Sequence, residues 1–454
     1  MLFRSVSGVT TLLEQNAKMD FERLASSAVA AIDDRYLLEL LTRIVETPSQ
    51  TGHEGPLAQY LVGELRSRGI GAEYQAISET RGNCIGRVKG SGRGADVLVY
   101  GHLDTTFTGD EDDDRPVLGG KPRIDLQPKL TRRDDGLLTG LGISNPKGGV
   151  ACAIAATDAI VRAGVPLAGD IILGICAGGI HKRPIVALNR RYEGSRYQGY
   201  AIGCEYMLKH GMTADFCLST KPGYGIVYEE PGQAWFMVEV QGRLCYAGLR
   251  HVSPHRNPLT DAARLIIALE EWIPEYTAKH ESGQILPQGA VGAVEGGWPH
   301  KPEFIPDIAR IYVSFNTNSK TTPLQMRRIF GGFIDGYRAK HPDVTLDWQM
   351  LQLQPGSRTD PESWIVKSCR RALESVEGKP QPDVSRFSGT TDGNILRLWG
   401  IPTVRLGLPG LMSPEPGWPP MYDATRVADL RRVTEVYVRT LIDTCTREEL
   451  RGAR

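Results

Sequence analysis

The chain has 454 residues, more than one hydrophobic core usually serves, so its length predicts two domains. Hydrophobic residues make up 41% of the chain and charged residues 23%, as in ordinary globular proteins. Lysine plus arginine and aspartate plus glutamate both count 53, and this balance argues against nucleic acid or an anionic membrane as a partner.

The sequence indicates neither a membrane segment nor a disulfide framework. No apolar run reaches the roughly 20 residues that a membrane-spanning helix needs. The first 19 residues lack the continuous apolar segment and the cleavage site of a signal peptide, and we interpret them as a loose leader. The eight cysteines are scattered without a CxxC pair, which is typical of reduced thiols. These features predict a cytoplasmic protein.

Helix and strand patterns alternate through the first half of the chain. Apolar residues at three- and four-residue spacing predict helices over 36–45 and 56–67. Short apolar runs predict buried strands over 96–100 and 170–176, and an alanine-rich helix is predicted between them over 147–163. This alternation predicts an α/β domain with a mainly parallel sheet.

The pattern changes after about residue 231. Strand, helix, strand, helix and strand are predicted in turn over 234–240, 261–272, 309–315, 324–337 and 344–350. This order predicts a compact α+β unit inserted in the first domain. We therefore assign a discontinuous α/β domain to 20–230 and 346–454, and the inserted unit to 231–345.

His102 and Asp104 lie two residues apart where a predicted strand ends. The period of two puts both side chains on one face, so the carboxylate can fix the tautomer of the imidazole or share a cation with it. For this pair alone, a structural hydrogen bond is the simpler interpretation. The surrounding motifs favour a functional role for His102 and Asp104.

Six segments occur in a fixed order along the chain. They are PSQTGHEG (48–55), RGNCIG (81–86), VYGHLDTT (99–106), DGLLTGLGISNPKGG (135–149), FSGTTDGN (387–394) and GIPTVRLGLPG (400–410). Together they resemble the M20 family of metallopeptidases and amidohydrolases, from about residue 36 to residue 445. The resemblance implies a zinc-peptidase-like α/β/α catalytic domain with an inserted ferredoxin-like lid, a small-molecule substrate and a homodimer formed through the lid.

The active site that the resemblance implies holds two zinc ions bridged by an aspartate, with a glutamate as general base. His102 matches the first metal ligand and Asp104 its supporting partner. Asn145, however, stands at the position of the bridging aspartate. The paired glutamates correspond to Gly179 and Ile180.

The remaining ligand positions also differ from the family pattern. Lys221 stands where an acidic ligand precedes a proline, and no histidine follows His341 to supply the last ligand. The replacements raise the formal charge of the site by five units, which nearly offsets the four positive charges that two zinc ions would carry. A buried lysine and a dinuclear centre would also repel each other strongly. The sequence therefore predicts a site without a cofactor, with Lys221 standing in for the metal.

One divalent ion remains an alternative. His102, Asp104 and the side-chain oxygen of Asn145 could hold it, since an amide oxygen suits the harder cations.

Asn145 and four further residues are candidates for substrate contact. Tyr246 matches a lid histidine that, in the family, reaches across the dimer, and it is either a packed aromatic or a hydrogen-bond donor. His251 could supply that lost histidine, although such residues are often merely solvated. Thr391 and Asp392 match a segment that lines the cleft floor, and capping of the next helix is the structural alternative.

These observations lead to one main functional hypothesis and two alternatives. The main hypothesis is an enzyme with a rebuilt, metal-free site that acts on a C–N bond of a small polar substrate. Lys221 and His102 would be its acid/base or electrostatic residues, and Asp104 would orient His102. The alternatives are a non-catalytic protein that binds a small anionic ligand, and a hydrolase or aminohydrolase with a single metal ion.

Overall fold

The computed structural model describes residues 5–120, 123–188, 197–381, 383–410 and 423–451, with side chains from residue 18 onward. Within these ranges, no helix combines the length and the apolar character needed to cross a bilayer. All eight cysteines fall inside them, and each is buried and unpaired.

The chain builds most of its α/β domain before the lid begins. The elements in order are α1 (Ser5–Ala30), α2 (Asp34–Glu46), α3 (Gly55–Ser67), β1 (Gly71–Ala76), β2 (Gly82–Val88), β3 (Val97–His102), α4 (Glu111–Leu118), β4 (Thr131–Arg132), β5 (Leu137–Thr139), α5 (Gly148–Arg162), β6 (Ile171–Cys176), α6 (Ile202–Lys209), β7 (Phe216–Ser219) and β8 (Glu229–Glu230).

The lid follows, and the chain then returns to the α/β domain. The lid elements are β9 (Gly232–Gln241), β10 (Cys245–Tyr246), α7 (Pro258–His280), β11 (Gly289–Gly296), β12 (Phe304–Ile305), β13 (Ile308–Thr317), α8 (Pro323–Lys340) and β14 (Leu346–Gln354). The closing elements are β15 (Ser357–Arg358), α9 (Trp364–Glu377), α10 (Gly393–Leu398), β16 (Thr403–Arg405), β17 (Ala424–Arg426) and α11 (Val427–Cys445).

The main sheet has the strand order β1-β2-β6-β3-β7-β16. The four strands from β6 to β16 are parallel, whereas β1 and β2 pair antiparallel at one side. Parallel strands covered on both faces must be apolar throughout, and every residue of β3 and β6 is buried. The mainly parallel sheet predicted from the sequence is confirmed.

Helices cover both faces of this sheet. Val97 and Val99 of β3 point into a core shared with α2, α5, α9 and α11. Leu98 and Tyr100 point the other way, into a core shared with α6 and α10. This alternation along one strand is the α/β/α layering that the family resemblance implied.

The N-terminal segment differs from expectation. Residues from Ser5 belong to α1, which packs against α11, and Ala25 and Ala28 are fully buried. The segment expected to be loose is therefore helical from Ser5 onward. Residues 1–4 lie outside the described ranges.

The lid is a four-stranded antiparallel sheet in the order β11-β13-β9-β14, with α7 and α8 packed on one face. This is the ferredoxin-like arrangement that the resemblance implied. Because β14 pairs with β9 over Leu346–Gln354, the lid sheet extends nine residues beyond the boundary expected at residue 345. That boundary was placed too early, since the alternating pattern of this strand continues past a bulge after Met350.

The lid core offers a direct stability test at Phe236. This ring is fully buried and stacks on Phe330 with centroids 4.0 Å apart. We expect Phe236→Ala to lower the free energy of unfolding by about 3–5 kcal/mol, because the cavity it leaves cannot close fully. Urea denaturation followed by circular dichroism measures this. The control Val294→Ala changes a residue of the same sheet that is 54% exposed, and it should cost less than about 0.5 kcal/mol. Equal effects of the two substitutions would contradict the proposed packing.

Candidate active site

The carboxyl ends of the parallel strands meet at one edge of the sheet. β3 ends at His102 and β7 at Ser219, so Thr220 and Lys221 follow directly beside the histidine. A side chain at Gly149 would come within 2.3 Å of the carbonyl oxygen of Thr220, so only glycine lets α5 begin this close. Such an edge is where open α/β sheets bind ligands.

A cleft of about 390 Å³ opens at this edge. Its walls come from the loops after β3, β5 and β7, from the segment before α10 and from the end of β16. The polar lining residues that matter below are Asn145, Lys221, Thr391 and Arg405.

Asp104 is the most heavily hydrogen-bonded group of the site. It accepts from Nδ1 of His102 at 2.9 Å, from Oγ1 of Thr51 at 2.8 Å and from the backbone N–H groups of Gly179 and Ile180 at 2.7 and 3.1 Å. Burial alone would raise the pKa of Asp104, but its bonds to His102 and Thr51 outweigh this and hold the pKa well below its usual value. The group is therefore a carboxylate at neutral pH.

This carboxylate fixes the tautomer of His102. With Nδ1–H donated to Asp104, the proton-free nitrogen is Nε2, which is buried and has no hydrogen-bond partner within the described residues. Burial, together with the charge of Lys221, lowers the pKa of His102 to about 4. The imidazole is thus neutral at pH 7, and the side chain of Asn145 is close enough to affect its pKa.

Lys221 is only 5% exposed. Burial lowers its pKa, while the negative charges of Asp392 and Asp104 work in the opposite direction. Its own charge acts on both imidazoles of the site: burial and then Lys221 lower the pKa of His181 to about 3. Nε2 of His181 is also buried without a partner among the described residues. The amine therefore lies within electrostatic reach of two histidines and two carboxylates.

Asp392 and Thr391 occupy the floor of the site. Burial raises the pKa of Asp392 to about 7, against the opposing effects of Lys221 and of Tyr100, whose hydroxyl donates to Oδ2. Oδ1 has no partner in the described part of the chain. Thr391 donates to Glu230 at 2.7 Å and accepts from the backbone N–H of Gly393, the first residue of α10, at 3.0 Å.

A buried ion network behind the floor was missed by sequence reasoning. The carboxylate of Glu230 lies between Arg397 at 2.7 Å and Arg405 at 3.0 Å. Arg405 also donates to the carbonyl of Pro222, the residue after Lys221, and so fixes the loop that presents the amine. No local motif signals these pairs, because 175 residues separate Glu230 from Arg405.

The two lid candidates lie away from these groups. Tyr246 is 42% exposed on β10 and packs against Phe304 with ring centroids 5.7 Å apart. His251 is also exposed, and neither residue lines the cleft of this chain. Their role in substrate contact stays a prediction, which requires the lid of a partner subunit.

The residues present do not fit a dinuclear zinc centre. A Cβ atom at Gly179 would lie 2.5 Å from Cγ of His102 and 2.8 Å from Oδ2 of Asp392, so no glutamate fits there without displacing these buried side chains. The buried amine of Lys221 lies beside this histidine and would oppose a bound cation. Within the described ranges, no three histidine, cysteine, aspartate or glutamate side chains converge as a metal site would require.

A single ion would find an incomplete set of ligands. Nε2 of His102 and Oδ1 of Asn145 are buried without partners in the described structure, as free ligands would be. The oxygens of Asp104, in contrast, already accept from His102, Thr51 and two backbone N–H groups. A cation here would also meet the charge of Lys221.

Comparisons with known proteins support the resemblance read from the motifs. Residues 98–443 match the family described as Peptidase family M20/M25/M40. A succinyl-diaminopimelate desuccinylase of Methylorubrum extorquens is 25% identical over 420 residues, which cover 90% of this chain and 99% of that protein. One from Magnetococcus marinus is 22% identical, with coverage of 88% and 96%.

Comparison with solved structures supports the same fold. The dipeptidase Dug1p from Saccharomyces cerevisiae superposes with a TM-score of 0.70 at 12% identity, covering 92% of this chain and 98% of that one. Human carnosine dipeptidase 1 gives a TM-score of 0.68 at 15% identity, with coverage of 94% and 98%. The family match spans most of the chain and both domains of the fold, and the protein therefore belongs to peptidase family M20/M25/M40.

Proposed function

We propose that this protein is an M20-type hydrolase that cleaves a C–N bond of a small polar substrate without a metal ion. The observation that carries the proposal is the buried amine of Lys221, which lies in the cleft and acts electrostatically on His102, His181 and Asp392. A fixed positive charge in a cavity with little water can stabilise a developing oxyanion, as a bound metal ion would.

His102 is the proposed general base. Its Nε2 takes a proton from water as the water oxygen attacks the amide carbon, while Asp104 stabilises the imidazolium that forms. The ammonium of Lys221 faces the oxygen of the tetrahedral intermediate. When the C–N bond breaks, the proton passes to the leaving amine, either from His102 or from Asp392, whose pKa of about 7 leaves it partly protonated at neutral pH.

The relatives point to the substrate class. Succinyl-diaminopimelate desuccinylases are named for removing the succinyl group of succinyl-diaminopimelate. In this cleft, Lys221 supplies a positive charge and Asn145 and Thr391 supply hydrogen-bonding groups, which suit a carboxylate-bearing amide. We therefore propose N-acylated amino acids as substrates for a cytoplasmic homodimer in which Tyr246 and His251 approach the partner's cleft.

A second candidate function is the binding of a small anion without turnover. One observation favours it: Gly179 and Ile180 contribute only backbone N–H groups where the family resemblance implies a catalytic glutamate. His102 would then be a hydrogen-bonding group and not a base.

Metal dependence separates the candidate functions. We expect protein purified without added metal to hydrolyse members of an N-succinyl and N-acetyl amino acid panel, and to keep that activity in EDTA. Elemental analysis should give well below one metal ion per chain. Turnover that appears only with an added divalent ion would support the single-metal alternative. Saturable thermal stabilisation by panel members without turnover would support the binding function.

Substitution of Lys221 tests the electrostatic role. We expect Lys221→Met to lower kcat/KM by about 10²–10³-fold, because the oxyanion loses its cation. Because Lys221 lowers the pKa of His102, its removal raises that pKa. The acidic limb of the pH profile, where the base is lost as pH falls through about 4, should therefore move to higher pH.

The control for this experiment is Lys209→Met, which removes a lysine that is 59% exposed and paired with Glu205. Its pH profile should match that of the parent protein. NMR titration of the His102 imidazole measures the same shift without a substrate. An unchanged His102 pKa in Lys221→Met would disprove the proposed placement of the amine.

A further inference from the structure

A second cavity lies apart from the cleft, between the first, ninth and last helices. It has a volume of about 460 Å³ and shares no lining residue with the active-site cleft. Helix α1 contributes Lys18, Phe21 and Glu22, α9 contributes residues including Arg371, and α11 contributes residues including Arg439. The volume of this cavity is larger than a bare inorganic anion requires.

Arg439 is the central group of this cavity. Its side chain is 16% exposed, and its only ion pair in the described structure is a long one, 3.3 Å from Nη1 to the half-exposed carboxylate of Glu22. Its Nε is buried and has no hydrogen-bond partner among the described residues. A largely buried guanidinium with an unused donor is costly unless something else accepts from it.

The remaining charges leave the cavity positive. Asp443 is shared between Arg371 at 2.5 Å and Arg447 at 3.0 Å. The wall thus carries four cationic side chains, Lys18 and three arginines, against two carboxylates, Glu22 and Asp443. Glu449, outside the wall, also pairs with Arg447 at 3.1 Å, which leaves an excess of one positive charge. An anionic ligand would offset this excess.

We propose that this cavity binds a phosphoryl dianion, either free phosphate or the phosphate of a small ester. Guanidinium groups on α9 and α11 suit the tetrahedral oxygens through charge-assisted hydrogen bonds, and Phe21 offers an apolar wall to the rest of an ester. The bound anion bridges α1 to α9 and α11. It therefore stabilises the docking of the N-terminal helix on the α/β domain.

Inorganic phosphate is the first probe, titrated against the full chain at constant ionic strength set with chloride. We expect a saturable rise in Tm of about 1–3 °C, together with slower hydrogen exchange in residues 18–30. Phenyl phosphate distinguishes the two sources: tighter binding than inorganic phosphate indicates an ester ligand, and equal or weaker binding indicates free phosphate.

Substituted variants test whether phosphate binds in this cavity. Arg439→Gln should weaken phosphate binding about tenfold or more. Ser375→Glu places a carboxylate at an exposed position on the rim, where folding is preserved, and it should abolish the effect. Arg432→Gln removes a cation from α11 outside the cavity and should leave binding unchanged. The proposal fails if chloride alone produces the same stabilisation, or if phosphate binds Ser375→Glu as it binds the parent protein.

Discussion

The buried carboxylate of Asp104 organises the candidate active site. Its oxygens draw together three separate parts of the chain: the end of β3 through His102, the loop before α3 through Thr51, and the turn after β6 through two backbone N–H groups. A buried charge is tolerated only when it is fully hydrogen-bonded, so these segments cannot move independently. The tautomer of His102 and the close approach of Gly179 both follow from this one group.

The second constraint is charge balance in a region of low dielectric. With its amine protonated, Lys221 joins Arg397 and Arg405 in placing three positive charges beside the carboxylates of Asp104 and Glu230. Asp392, whose pKa of about 7 lets it exchange a proton near neutrality, can supply the remaining negative charge. The site therefore reaches near neutrality with protein groups alone. An added divalent ion would leave the site with an excess of positive charge. The charge of an anionic substrate, in contrast, can be offset by protonation of Asp392.

Much of the scaffold could be predicted because its signals are local. The apolar runs gave the parallel strands, and the period of two brought His102 and Asp104 to one face. Prediction failed where distant pairing or packing decides the structure. Helix α7 continues beyond Pro274 to His280, because its later turns still bury Tyr276 against the lid sheet. The pairs of Glu230 with Arg397 and Arg405 join residues far apart in the sequence, so no sequence spacing predicts these ion pairs.

The tight fit around Gly179 limits which residues this position can accept. A Cβ atom there would meet the side chains of His102 and Asp392. An acidic residue at position 179 would therefore force two buried side chains apart and disturb the tautomer that Asp104 sets. Substitutions that alter the chemistry of this site have more room on the side of the cleft that Asn145 and Thr391 line.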